Sequence, residues 1–390
     1  MVCVSRGWGR GVLLGLGIFA VLETGRPTEG VPSSCPCAAC GPSGEGEDAG
    51  RALAGTQREL PYGGKPCVKG TCRPSFIIIG AGKCGTSSLY YYLLDHPQVE
   101  PAGAKQIQFF DHQLGRGVSW YTAHFPRSMP DGHVTGEASP GYIVYHHVPG
   151  AVQRVLPQVR ILAVVRDPID RLWSSYHYNY LDLLHRGQRP VHIKSFVRVE
   201  KDILDSCLRR NSYSPRIGSA GGKMVDVYSS CIQQTPERKH LSLIREREAE
   251  LRADSKEVAF PRSTSHLYRM FISRGLYSLM LEWWYDLFPD GQIHVICTEH
   301  LHDDSAATMT GAARFIGLDD FDFTATVEKG KYNALANRGY DKVTSWDQAA
   351  ETEGKRPPID EETRAALADI FHPFNERLFE LTGNRCDWNE

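Results

Sequence analysis

The chain has 390 residues, 41% hydrophobic and 23% charged, enough for one large globular domain or two modest ones. Its 44 Lys and Arg against 46 Asp and Glu give a net charge near −2, which excludes the strong basic excess of a dedicated nucleic-acid binder. No run of 18 apolar residues occurs, which excludes a multi-span membrane protein.

At the N-terminus, Arg6 and Arg10 precede an uncharged run from Gly11 to Leu22. A run this short after a positive segment predicts a signal peptide or a short signal anchor over residues 1–22. Residues 23–72 hold ten Gly and six Pro. They read as a stem, because so few aliphatic side chains cannot offset the entropy of ordering. Cys35, Cys37 and Cys40 have no partner pair at zinc-finger spacing and are expected as stem thiols or disulfides. Cys67 and Cys72 flank the point where order begins and are placed to pair with each other.

From Ser75 the texture changes. Phe76–Gly80, FIIIG, reads as a buried parallel strand, followed by a helix over 87–95. Arg160–Val165, RILAVV, reads as a second buried strand, with a helix after Pro168 through Tyr180. Residues 186–252 interrupt the rhythm with 14 Lys and Arg against 8 Asp and Glu. They read either as a solvated helical insertion or as a basic surface for an anionic substrate. A helix is expected over 265–288, a third strand over 292–297, and helices over 305–316 and 359–382. Trp283, Trp284 and Tyr285 are expected in the core. This alternation predicts an α/β domain over 73–390: a central parallel sheet, flanking helices and a P-loop-like phosphate-binding turn.

The chemistry concentrates in Phe76–Leu89, FIIIGAGKCGTSSL. A strand runs into a Gly-rich turn and then a helix N-terminus, where N–H groups and the helix dipole attract a phosphate. Lys83 adds a point charge, Thr86, Ser87 and Ser88 add hydroxyls, and Cys84 and Gly85 complete the loop. A nucleoside-triphosphate loop needs G-x-x-x-x-G-K-[ST]. Here Thr86 stands where that lysine belongs, and the lysine lies inside the loop. The loop therefore suits a phosphate group without the magnesium–triphosphate arrangement. A P-loop kinase stays open as an alternative.

This loop resembles the 5′-phosphosulfate loop of sulfotransferases that use 3′-phosphoadenylyl sulfate. The resemblance continues through RDPIDRLWSSYHY, where it implies that Arg166 and Ser174 bind the 3′-phosphate, and extends over residues 74–388. Gly103–Asp111, GAKQIQFFD, is similar to the Lys-Glu-x-x-Phe-Phe segment of heparan and chondroitin sulfate sulfotransferases. Gly136–Tyr142, GEASPGY, resembles the next family block, and Gly275–Phe288 the C-terminal half. Tyr332 and Arg338 fall where the family places its late nucleotide loop. The FVRVEKDILDSCLRRN helix looks closest to the branch with N-acetylgalactosamine 4-sulfate 6-O-sulfotransferase, which implies a Cys207–Cys231 disulfide.

The implied reaction is attack of an acceptor hydroxyl on sulfur, with Lys83 stabilising charge on the bridging oxygen. The implied acceptor is a carbohydrate, with a lipid, a small alcohol or an inactive nucleotide-binding relative as alternatives. No metal and no nucleic acid are implied. In family members a Glu after the lysine matching Lys105 takes the proton; here Gln106 stands there, and an amide is no base. Glu137, Asp111 and His112 are the substitutes expected, Glu137 first. Ala138 replaces a substrate-binding lysine of some relatives. The Golgi lumen is the implied location, with the protein held by a single N-terminal anchor or secreted after signal cleavage. Cys84 and Cys297 are expected free and buried, leaving Cys386 without a partner.

Overall fold

A computed structural model describes residues 60–210, 237–251, 259, 270–335, 337–355 and 358–388. The expected targeting segment, most of the stem, and Cys231 with the middle of the insertion lie outside the described residues. Two short strands, β1 (Cys67–Val68) and β2 (Thr71–Cys72), form an antiparallel ribbon closed by a Cys67–Cys72 disulfide, as the spacing predicts. The end of the expected stem packs on the domain: Pro61 and Gly64 are buried, and the Gly64 carbonyl accepts from Gly132 N–H.

The central sheet has five parallel strands, β3 (Phe76–Gly80), β4 (Val99–Glu100), β5 (Val134–Ala138), β6 (Arg160–Val165) and β7 (Ile293–Cys297), in the order β4-β5-β3-β6-β7. Every residue of β3 is buried, which is why its sequence is a continuous apolar run. Sequence patterning misses β4 and β5. Strand β5 reads VTGEA, yet it is wholly buried against β3. A Cβ on Gly136 would sit 2.5 Å from the Phe76 carbonyl oxygen, so only glycine lets the two backbones pair there.

The chain leaves β3 toward β5 on one side and later adds β6 and β7 on the other. Loops therefore diverge at the carboxyl ends of β3, β5 and β6, where a crevice forms. The helices Thr86–Leu93 and Pro168–His185 follow β3 and β6 as expected. The final helix, Glu361–Thr382, is capped by Asp360, whose side chain accepts from Thr363 N–H at 3.0 Å, and ends at Gly383.

The helix expected over 265–288 is corrected. Its described part is a 3-10 turn, Ser273–Gly275, then a helix over Tyr277–Tyr285. The buried Glu200, on the helix Ile193–Arg210, takes the N–H groups of Phe271, Ile272 and Ser273 at 2.6, 2.8 and 2.7 Å. Those amides point at a carboxylate, not at helix carbonyls. Trp283 and Trp284 are buried, as expected, while Tyr285 is half-buried against the core. Cys207 is disulfide-bonded, while its expected partner lies outside the described residues. The expectation of a free Cys297 and an unpartnered Cys386 is also corrected: the two form a disulfide that ties the C-terminal tail to the end of β7.

Candidate active site

The cleft at the carboxyl ends of the strands encloses about 850 Å³ open to solvent. Gly82, Lys83, Gly85, Thr86 and Ser87 line it from the loop after β3, Pro140 from the segment after β5, and Arg166, Ser174 and Tyr178 from the segment after β6. Lys105 and Gln106 close one side. Lys331, Tyr332, Asn333, Ala334, Leu335, Tyr340 and Glu353 close another.

The phosphate loop is fixed from several directions. Ala81 N–H donates to Val164 at 2.7 Å, which ties the loop to β6. The Thr298 hydroxyl reaches the carbonyls of Cys84 and Val165 at 2.7 and 2.8 Å. Gly85 adopts φ +92° at the N-cap of Thr86–Leu93, a conformation that suits glycine, and brings no capping side chain. The first-turn amides beside it are the groups that favour an anion.

Lys83 itself has φ +77°, and its Nζ lies 3.7 Å from the centre of the Tyr178 ring. The Arg338 guanidinium lies 4.6 Å from the same ring. Tyr178 is four residues past Ser174, on the same helix face. That spacing could have flagged it in the sequence. Arg274 is a second missed residue: a Cβ on Gly82 would sit 2.8 Å from its Nη2, so the guanidinium packs against the loop.

The segment after β6 is anchored too. Asp167 Oδ1 accepts from the N–H groups of Ile169 and Asp170 at 2.8 and 3.2 Å and so caps the following helix. Burial pushes its carboxyl up to about 6. Tyr277 donates its hydroxyl to the Arg166 carbonyl at 2.9 Å.

Not every expected residue reaches the cleft. Cys84 is fully buried, with Sγ 3.6 Å from the Tyr277 hydroxyl, and burial pushes its thiol up; it packs the loop from behind. The Ser88 hydroxyl accepts from Tyr332 N–H at 3.1 Å. With Tyr91 stacked on Tyr332 at 4.8 Å, this bond holds the late loop over the site. Tyr332 thus lines the cleft, while Arg338 meets it through Tyr178.

Glu137 also lies outside the cleft lining, with no exposed surface. It accepts from the hydroxyls of Ser139 and Tyr142, both at 2.6 Å, from Tyr121 at 3.1 Å and from Ile107 N–H at 3.3 Å. Burial pushes its carboxyl up, against the pull of these four donors. That environment makes the group a hydrogen-bond hub set back from the cleft lining. Three further bonds run along the same seam. Ala138 N–H donates to Lys105 at 2.7 Å, Gln108 N–H to the Ser139 hydroxyl at 2.9 Å, and Phe109 N–H to the Tyr142 hydroxyl at 2.9 Å. Together they fix the backbone that carries Lys105 and Gln106.

Asp111 and His112 sit in the π-helical turn Phe109–Gln113, off the cleft lining. Both Asp111 carboxylate oxygens are buried without a hydrogen-bond partner among the described residues, and burial pushes the group up. The His112 ring lies 5.7 Å from that of Tyr145.

Lys105 is only 7% exposed, and burial pushes its ammonium down to about 7. Lys331, by contrast, is paired with Glu353 at 2.9 Å. Four cationic side chains, Lys83, Lys105, Arg166 and Lys331, thus surround a cleft in a chain of net charge −2. Among the described residues no group of three His, Cys, Asp or Glu side chains could hold a metal ion.

Comparisons with known proteins return sulfotransferases. Residues 73–217 match the family described as the sulfotransferase domain. The chain is 24% identical over 337 residues to the membrane-associated sulfotransferase kil1 of Dictyostelium discoideum, covering 81% of this chain and 67% of that one. It is 28% identical over 357 residues to heparan sulfate glucosamine 3-O-sulfotransferase 3A1 of Mus musculus, covering 90% and 72%. A solved sulfotransferase from Alicyclobacillus acidocaldarius superposes with a TM-score of 0.48 at 20% identity, over 81% of this chain and 98% of that one.

Proposed function

We propose that this chain, whose residues 73–217 match the sulfotransferase domain, moves a sulfuryl group from 3′-phosphoadenylyl sulfate to a carbohydrate hydroxyl. The observation that carries the reading is the convergence of Lys83, Thr86, Ser87, Arg166 and Ser174 on one cleft. An anion with two separate phosphate groups needs two separated binding centres, and the loops after β3 and β6 supply them.

In this reading Lys83 and the first-turn amides meet the 5′-phosphosulfate, and Lys83 stabilises charge growing on the bridging oxygen. Arg166 and Ser174 meet the 3′-phosphate, and Tyr332 with Arg338 closes the nucleotide side. The donor chemistry asks for positive charge and N–H donors, which is what the lining offers. The carbohydrate acceptor is supported by the relatives, one of which is named for heparan sulfate glucosamine.

We place the protein in the Golgi lumen. The Cys67–Cys72 and Cys297–Cys386 disulfides suit an oxidising compartment. Among the described residues no helix is long and apolar enough to cross a membrane, so a single anchor would fall to residues 1–22.

The test has two arms. Calorimetry with adenosine 3′,5′-bisphosphate should show binding that Lys83→Ala and Arg166→Ala each weaken at least tenfold. Radiolabelled sulfuryl transfer to glycans, lipids and simple alcohols should favour the glycans. Binding that survives both substitutions would sink the donor site. Transfer to lipid or alcohol alone would sink the acceptor assignment, and binding without any transfer would mark an inactive relative.

A further inference from the structure

We propose that Lys105 takes the proton of the acceptor hydroxyl, with Gln106 beside it orienting that hydroxyl; the inference rests on the sulfuryl-transfer reading above. An alcohol oxygen attacking sulfur must lose its proton, so a proton acceptor has to border the cleft. Among the described residues the lining holds one carboxylate, Glu353, and Lys331 engages it at 2.9 Å. Glu137 is closed off by Tyr121, Tyr142 and Ser139. Asp111 and His112 stand off the lining.

Lys105 differs from the other cations of the cleft. It borders the space, yet its side chain is almost wholly buried. No carboxylate lies within 4 Å of its ammonium among the described residues, and the Tyr340 ring centre lies 5.0 Å from Nζ. Desolvation without a close counter-charge favours the neutral amine. The lowered ammonium, at about 7, agrees with that setting.

The charged and titratable groups that face Lys105 come from four directions. Glu137 on β5 favours the ammonium through its charge, and burial outweighs it. Tyr340 contributes its ring. Lys83 and Arg166 border the same cleft, and Lys331 is tied to Glu353.

Gln106 supplies the second observation. Its Oε1 is buried with no hydrogen-bond partner among the described residues, although the residue borders the cleft. A buried acceptor left unpaired costs about 1–3 kcal/mol. An incoming hydroxyl would satisfy it, presenting the oxygen beside the Lys105 amine.

The step balances. The hydroxyl O–H bond breaks and its proton moves to the Nζ lone pair. An oxygen lone pair forms the new O–S bond. The S–O bond to the 5′-phosphate breaks, and its electron pair leaves on the phosphate oxygen. The ammonium later returns its proton to water.

The test uses the full chain, radiolabelled donor, and heparan and chondroitin sulfate chains as acceptor probes. For the wild type, kcat/KM should rise tenfold per pH unit up to about 7 and then level, because the neutral amine is the active form. Lys105→Arg keeps the positive charge and should lower kcat by about 10²–10⁴-fold. It should leave the Kd of adenosine 3′,5′-bisphosphate within about threefold, which also reports folding. In Lys105→Ala, added small amines should restore part of the rate, more for more basic amines. Lys105→Arg with a tenth or more of wild-type kcat would overturn the proposal. So would uptake of nearly a full proton on bisphosphate binding at about pH 8, lost in Lys105→Ala, because the amine would then be protonated once the nucleotide is bound. A wild type that binds the bisphosphate yet transfers to no acceptor would overturn the transfer reading itself.

Discussion

Substituting Glu137 separates a base from a hub. In Glu137→Gln one carboxylate oxygen becomes an NH2 group. Ile107 N–H can only donate, so the remaining oxygen should keep that bond and the Ser139 hydroxyl. The NH2 then faces Tyr121 and Tyr142, which now donate to the carboxylate. Tyr142 cannot simply reverse, because its oxygen already accepts from the N–H groups of Phe109 at 2.9 Å and Phe110 at 3.5 Å. Two hydrogen bonds to a carboxylate, at about 1.5–3 kcal/mol each, give way to neutral and poorly aligned ones, for a net loss of about 2 kcal/mol. Glu137→Ala leaves three hydroxyls and an amide unpaired around a void and should cost about 4 kcal/mol. Urea unfolding at fixed pH measures both, with bisphosphate binding and sulfuryl transfer run on the same samples. The hub reading expects stability and transfer to fall together in both variants. Glu137→Gln that unfolds within about 0.5 kcal/mol of wild type but loses 10²-fold or more in transfer would refute this reasoning and restore Glu137 as base.

Tyr178→Phe keeps the ring between Lys83 and Arg338 and should bind the bisphosphate like wild type, whereas Tyr178→Leu should weaken binding by about 3–30-fold, the range of a desolvated cation–π contact of about 0.5–2 kcal/mol; calorimetry decides. Glu353→Gln removes the negative charge beside Lys331 and should tighten bisphosphate binding about fivefold, about 1 kcal/mol, at low salt. Cys297→Ser or Cys386→Ser opens a loop with a sequence separation of 89 and should destabilise the domain by about 2–5 kcal/mol, read by denaturant midpoint under non-reducing conditions.

The strands that sequence patterning finds are those whose burial leaves a one-dimensional trace. β3, β6 and β7 pass through the middle or far side of the sheet and read as apolar runs. β4 is two residues long, and β5 carries a Gly and a Glu at its core-facing end. Its Gly136 serves a neighbour's backbone and its Glu137 serves four donors, so neither follows strand propensity. The helix expected over 265–288 fails for a related reason. Its apolar periodicity is real, but Glu200, about seventy residues earlier, captures the amides that would have extended it. Cys297 and Cys386 are legible only as two cysteines; their meeting depends on how the tail after the last helix reaches β7.

The donor half of the site follows from local sequence because each part is a strand followed by its own loop and helix. Lys83 to Ser87 and Arg166 to Ser174 are such units, and the parallel sheet brings their carboxyl ends together. The proton-accepting half has no such grammar. It depends on which acidic side chain is walled in and which amine is stripped of water. Glu137 looks like a base in sequence because it is the carboxylate of its block, and Tyr121, Tyr142 and Ser139 withdraw it from that role. Lys105 looks like one more phosphate-binding cation until its burial and lack of a close carboxylate are seen. The hub and the amine are two ends of one device. The bonds from Glu137, Ser139 and Tyr142 to the backbone of 107–109 hold Lys105 where water cannot rescue its charge. Removing the Glu137 charge in Glu137→Gln should therefore lower the pH at which the ammonium loses its proton, and with it the acid limb of the reaction, whereas water let in by Glu137→Ala should offset that fall.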